Sequence, residues 1–250
     1  MLLVDGINIE KEIETPYNII ATYPSFQILT TLDKDDEKHI ERCGRICYKS
    51  EHKITADSSD KFINMIKKNG HESVFEHVSL SVRFIASRVF SHQLIRHRHT
   101  SLSPSQESQR YVNYNDKFTF IIPYWLDCEK PEVQQLIDKW IDNTINEVEL
   151  YCNTYNIYKK PEVCRYALGQ SVKTDFVVTA NIREWRDILS KRTSLAADMS
   201  MRQLMVPLLV ELKQMSPILF DDIEVDENEQ ERFTKLYRDS KSKCRYIEKE

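Results

Sequence analysis

The chain has 250 residues, 41% of them hydrophobic and 30% charged, which is enough for one large domain or two small ones with a real core and excludes a disordered polymer. Its formal charge of -4 gives no global attraction to a polyanion, although a local basic site is compatible with it. With four glycines (Gly6, Gly44, Gly70, Gly169), neither G-x-G-x-x-G nor G-x-x-x-x-G-K can be written, so any bound nucleotide has to be held by side chains and helix termini.

In chain order, the N-terminus (MLLVDGINIEKEIE) has neither a basic start nor a long apolar stretch, and no run of about 18 apolar residues follows, so the expectation is a cytoplasmic protein away from membranes. Ser25 to Leu32 reads as a strand and Asp35 to Tyr48 as a helix with an acidic start. Ser58 or Ser59 can cap a second helix that Gly70 ends. From His77 to Phe84 strict alternation puts Val78, Leu80, Val82 and Phe84 on one face, the pattern of a half-buried strand.

SRVFSHQLIRHR then reads as a helix carrying Phe90 and Leu94 on one side and Arg88, His92, Arg96 and His99 on another, followed by a polar loop around Pro104. Tyr111 to Ile122 is expected to be a strand, and Glu132 to Tyr158 a long helix with Ile137, Trp140, Ile141 and Val148 in its core stripe. Asp175 to Thr179 is a strand, and helices follow over Ile182 to Lys191 and Ala196 to Met215, the second kinked or stopped early by Pro207. The order predicts an α/β (α+β) single domain over 1–220, with a central mainly antiparallel sheet flanked by helices. Residues 221–250 form a densely charged C-terminal tail, expected to be solvated or frayed.

The six cysteines lie without C-x-x-C or zinc-type spacing and read as free thiols. Cys43 and Cys47, four apart in a helix, are a buried pair or a metal or redox pair. Five of the seven histidines (His71, His77, His92, His97, His99) fall within 29 residues that also hold Arg83, Arg88, Arg96 and Arg98. A metal site at His92, His97 and His99 is opposed by the nearby cations, and an RNA patch stacking bases on Tyr111 and Tyr114 by the overall acidity. A solvated basic helix end is the bland alternative. A site for an anionic small molecule, with guanidinium forks on phosphate, fits the cluster best.

The string RHRHTSLSPSQESQRY from Arg96 to Tyr111, preceded by SHQLI, resembles the signature of the flavin-dependent thymidylate synthase family. HESVFEH at His71 to His77 is similar to the family's upstream segment, and Arg165, Asn181-Ile182-Arg183, Arg192 and Ala197 fall at its downstream spacing. The likeness covers about residues 25 to 215. Nine residues separate Arg98 from Ser108 where the family usually has seven. Asp198 and Ser200-Met201-Arg202 stand for Gln and Glu-Ile-Arg, Gly169 for a frequent proline, and Asp187 for asparagine.

The resemblance implies reductive methylation of dUMP to dTMP by a homotetramer whose sites are built from several subunits, with 5,10-methylenetetrahydrofolate giving the carbon and NADPH-reduced FAD the hydride. It implies dUMP contacts from Gln93, Arg96, Gln106, Glu107, Ser108, Gln109, Arg110, Arg165 and Arg192. FAD contacts fall on Ser73, Arg96, His97, Arg98, Gln106, Asn181, Ile182, Arg183 and Asp187. His71 and Glu76 line the folate and flavin side, unless His71 is a buried histidine satisfied by a strand neighbour. Arg192 is the expected catalytic residue, a permanent cation that stabilises charge on the pyrimidine where no cysteine nucleophile is in place. Trp140 and Trp185 read as core.

Overall fold

A computed structural model describes residues 1–5, 10–126 and 130–241. The N-terminal segment forms β1 (Leu2–Asp5), β2 (Glu10–Ile13) and β3 (Ile19–Thr22), and β4 (Ser25–Ile28) follows. Helix α1 (Lys34–Ile46) starts on Asp33, whose carboxylate accepts the N–H groups of Asp35 and Asp36 while the Asp36 carboxylate accepts that of Asp33. This reciprocal cap and the acidic first turn suit the positive end of the helix dipole. Helix α2 (Ser58–Lys68) is followed by Gly70 at φ +67°, a conformation that favours glycine.

A 3-10 turn (Glu72–His77) leads to β5 (Ser79–Ser87) and α3 (Arg88–Leu94), and then to β6 (Leu102–Gln106) and β7 (Phe118–Ile121). After α4 (Pro131–Tyr158) and the single turn α5 (Pro161–Cys164) come β8 (Lys173–Asn181) and α6 (Ile182–Arg192). The chain continues through α7 (Met199–Met215), the single turn α8 (Pro217–Phe220) and α9 (Glu227–Lys241).

The strands form two four-stranded sheets rather than the single central sheet expected. One is antiparallel throughout, in the order β4-β5-β8-β6, with β5 and β8 paired over nine residues from Ser79 opposite Asn181 to Ser87 opposite Lys173. The other runs β2-β1-β3-β7, antiparallel between β1 and β2 and parallel elsewhere. Its β3–β7 pairing joins segments about a hundred residues apart, which local alternation does not announce.

The alternation of β5 puts Leu80, Val82, Phe84 and Ala86 into the larger core beneath α6 and α7. Phe84 packs there on Phe90 and Phe176 at centroid distances of 5.2 and 5.4 Å, each ring contributing about 1.5–3 kcal/mol by burial. A second core lies under α4, where Ile137, Ile141 and Val148 meet Phe118 and Phe120. Trp185 is core, as expected, with its indole N–H donated to the Leu80 carbonyl, whereas Trp140 is only partly buried. No described helix is long and apolar enough to cross a membrane.

Several local expectations need correction. The strand expected over Tyr111 to Ile122 is confined to Phe118–Ile121, because Asn113 and Tyr114 make turn bonds to the N–H groups of Asn115 and Lys117. The polar loop around Pro104 is β6, an edge strand paired on one side only, where a missing N–H is tolerated. Helix α3 stops at Leu94, so Arg96 to His99 lie in the turn beyond it rather than along its face. Helix α7 begins at Met199 and continues past Pro207, in a stretch buried from Gln203 to Leu209, and that burial offsets a proline penalty of about 3 kcal/mol. Cys43 is half-buried and Cys47 exposed, so they are not a buried pair.

The tail is not frayed over 227–241. Helix α9 buries Phe233 and Tyr237, and Tyr237 stacks on Phe26 at 4.5 Å and donates its hydroxyl to the Phe26 carbonyl at 3.0 Å. Two aromatics one turn apart supply the apolar anchor that the charged composition masks. Residues 242–250 lie outside the described residues.

Candidate functional site

The sequence-predicted residues collect at the two ends of β8. At its C-terminal end Asn181 caps α6, its Oδ1 accepting the Glu184 N–H at 2.8 Å and the Thr100 hydroxyl at 3.0 Å. Glu184, fully buried in the first turn of α6, accepts the N–H groups of His99 at 3.1 Å and Ser101 at 3.3 Å and that of Thr100 between them. Those bonds fix the turn that carries the Arg-His-Arg string.

At the other end of α6, Arg192 donates its Nε–H to Nε2 of His97 at 2.8 Å. His97 is buried, and burial first, with the Arg192 charge second, lowers its pKa below the usual histidine value. The ring is therefore neutral and accepts through Nε2, with Nδ1 turned to Asp187 Oδ2 3.9 Å away. With Nε–H committed to His97, the terminal nitrogens of Arg192 make no hydrogen bond among the described residues. Asp187 is also paired with Lys191 at 2.7 Å, and Arg183 with Glu76 at 2.6 Å, while the Arg183 Nε is buried and unpartnered.

At the N-terminal end of β8, Glu107 accepts from Lys173 Nζ at 2.5 Å and from the Tyr114 hydroxyl, and its own N–H goes to the Asp175 carbonyl at 2.8 Å. Burial, then the bond to Glu107, raises the Tyr114 pKa far above the phenol value, so Tyr114 stays a donor. Gln106 donates to Ser91 Oγ at 3.0 Å and Thr174 Oγ1 at 2.9 Å. The half-buried guanidinium of Arg88 lies 3.2 Å from His92 Nε2 and within electrostatic reach of Arg165. Burial lowers its pKa, Tyr114 acts in the opposite direction, and the Arg165 charge lowers it further. Two half-buried cations that feel one another's charge suit an anion. Arg110 reaches Glu162 at 3.6 Å, and Ser108 and Gln109 are half-buried just before it.

The remaining predicted residues are placed less tightly. Arg96 and Arg98 are exposed on either side of His97, Ser73 is exposed on the 3-10 turn, and Gln93 reaches Ser200 Oγ at 3.5 Å. The Ile182 side chain is inside the core and its N–H is taken by the Val78 carbonyl at 2.9 Å. His71 is exposed, with Nδ1 3.4 Å from the Tyr48 hydroxyl, and is not a buried histidine. Tyr114 is buried and Tyr111 exposed, so they do not form a stacking pair for bases. A metal grouping of His92, His97 and His99 is not seen; His97 instead lies with Glu184 and Asp187, their ligand-type atoms within 4.8 Å of one another. Glu184 and the His97 Nε2 are already occupied by N–H donors.

Sequence reasoning passed over Glu184 and Lys173, and it placed Arg88 in the basic cluster without naming it among the dUMP contacts. Glu184 had a signal: Asn181-x-x-Glu184 has the spacing of a capping box, although its carboxylate turns to the 99–101 segment instead of its own cap. Lys173 had none, since pairing of β8 with β6 brings it to Glu107.

A family profile described as thymidylate synthase complementing protein matches residues 28–218. A flavin-dependent thymidylate synthase of Mycobacterium avium (strain 104) is 34% identical over 201 residues, which is 74% of this chain and 79% of that protein. A probable flavin-dependent thymidylate synthase of Mycobacterium phage L5 is 33% identical over 202 residues, 76% of this chain and 82% of that protein. The fold is similar to that in the crystal structure of a UMP/dUMP methylase, PolB from Streptomyces cacaoi, bound with 5-Br dUMP. That likeness has a TM-score of 0.70 over 82% of this chain and 95% of that one, at 18% identity.

Proposed function

The chain belongs to the flavin-dependent thymidylate synthase family, and from that premise we propose that it converts dUMP to dTMP with FAD as cofactor, 5,10-methylenetetrahydrofolate as carbon donor and NADPH as reductant. The observation that carries this reading is the bond from Arg192 to His97, which ties the downstream arginine to the Arg-His-Arg string 95 positions earlier.

In this reading Arg192 is catalytic. Its Nε–H is held by a neutral imidazole, so the terminal N–H groups point as a fixed fork rather than a mobile one. Facing a uracil edge, they stabilise negative charge as N3 ionises and make C5 nucleophilic. Burial raises the thiol pKa values of Cys152 and Cys164, which opposes a thiolate nucleophile at either. The Arg88–Arg165 pair, with Arg110, Ser108 and Gln109, suits the phosphate, and Gln93, Gln106 and Glu107 suit the sugar and base.

The residues at the Arg192 end fit a flavin dinucleotide. Arg96, Arg98 and Arg183 offer cations to a pyrophosphate, the unpartnered Nε of Arg183 among them, and Asp187 and Asn181 offer polar contacts. The bound flavin supplies the hydride. His71 and Glu76 are assigned to the folate side, and the reaction to the cytoplasm.

Lys173 and Asn181 stand at opposite ends of β8, and Glu107 and Thr100 follow them, so the two groups of site residues lie about 25 Å apart in one copy. A homotetramer in which one copy supplies the Arg192 end and another the Arg165 end resolves that separation. The test is an anaerobic assay with dUMP, methylenetetrahydrofolate, NADPH and FAD, read as dTMP formed. Formation of dTMP supports the reading, and a protein that neither takes up FAD nor forms dTMP overturns it.

A further inference from the structure

Glu184 is a carboxylate with no exposed surface. Its oxygens accept the N–H groups of three successive residues, 99, 100 and 101, and lie 3.2 Å from the Thr100 hydroxyl, which is shared with Asn181 Oδ1. Accepting three backbone N–H bonds and donating none, it works as the anion. A buried carboxylate is costly without such donors; here three peptide dipoles and the N-terminal end of α6 compensate it.

The turn it holds is short. Arg96 and His97 close onto Gln93 and Leu94 through backbone bonds, and pairing in β6 begins at Leu102 opposite Ala180. Between these anchors, among the described residues, the only acceptor for the N–H groups of 99–101 is Glu184. The same helix then carries Asp187 and Arg192 to the two ring nitrogens of His97. One helix thus grips the string at two points: at its first turn by backbone, at its last by imidazole.

We propose that Glu184 is a positioning residue, which by fixing the 99–101 turn holds His97 where it accepts from Arg192. The assignment deepens the proposed function, and its dUMP arm rests on that reading, while its spectroscopic arm needs no ligand.

The test compares Glu184→Gln with the full-length wild-type protein as purified. Wild-type His97 should show one neutral tautomer in ¹⁵N spectra, protonated at Nδ1. In E184Q the two ring nitrogens should move toward an averaged shift, and the amides of 99–101 should exchange at least about tenfold faster. The Kd for dUMP should rise roughly tenfold to a hundredfold, and this rise should vanish when Arg192→Ala is already present. Unchanged His97 spectra, or an equal loss in both backgrounds, would overturn the proposal, because a role in stability alone moves neither. Should E184Q fail to fold, Thr100→Val removes one donor to the same carboxylate. His97 signals shifted in the same direction by less would support the proposal, and signals left in place would refute it. Failure of the wild type to bind dUMP would count against the proposed function, leaving the imidazole result to decide this one.

Discussion

Arg192 donates its Nε–H to Nε2 of His97 at 2.8 Å, so a permanent cation is oriented by a ring that has to stay neutral. Burial and the Arg192 charge lower the pKa of that ring, and the acid limit of activity should therefore lie below the ordinary histidine range. Protonation turns the acceptor into a donor and sets two cations against each other. Since the unfolded chain binds this proton more readily than the folded one, stability should also fall with pH from about 6.5 down to the folded pKa. A pH profile of kcat/KM for the wild type and His97→Gln checks this: the variant should lose the acid limb while keeping part of its activity.

Arg192→Ala should leave FAD bound while tritium release from C5 of dUMP falls by roughly 10²–10³-fold. Turnover near wild type would remove Arg192 from the catalytic role.

Separation of the two residue groups along β8 leads to a mixing experiment. Arg165→Ala should weaken dUMP binding by about 2 kcal/mol, the lower end for a charge contact that is half-exposed. Co-refolded with Arg192→Ala, it should regain activity to roughly a quarter of wild type, because some shared sites receive both intact residues. No recovery would mean that each copy builds its site alone.

Arg88→Ala should raise the Kd for dUMP about tenfold or more with little change for the nucleoside lacking phosphate. Equal losses for both ligands would move Arg88 away from the phosphate.

Arg186, buried on α6, ties Asp222 at 2.7 Å, Glu72 at 3.0 Å and the Leu219 carbonyl, and Lys67 also reaches Asp222. Burial opposes the shift, but Arg186 and then Lys67 bring the Asp222 pKa down to about 2. The depressed value means stability present above about 4 and lost as pH falls through about 2. Since Asp222 is partly exposed, Asp222→Asn should cost at most about 2–4 °C in Tm at neutral pH and flatten the acid limb of the Tm profile.

Much of the site was legible because its signals are local. The alternation in β5, the histidine and arginine string, and Asn181 at the start of α6 can each be read within a dozen residues. The two-residue excess before Ser108 reads as loop because Pro104 discourages a strand, yet an edge position accepts it. Lys173 joins Glu107 only after β8 and β6 pair. The first sheet was missed for a similar reason: β3 binds β7 across about a hundred residues, and no short window contains both.

Tyr237→Ala should cost about 3–5 kcal/mol in chemical denaturation, since it removes a stacked ring and a buried hydrogen bond. The partner of that ring is Phe26, 211 positions earlier, so the first residues laid into the larger core are among the last to be covered. A ribosome must therefore release the chain through Tyr237 before this part of the molecule can close. Until then Phe26 is left for chaperones to shield, and a chain cut before α9 should be a sticky, protease-sensitive product rather than a slightly shorter enzyme.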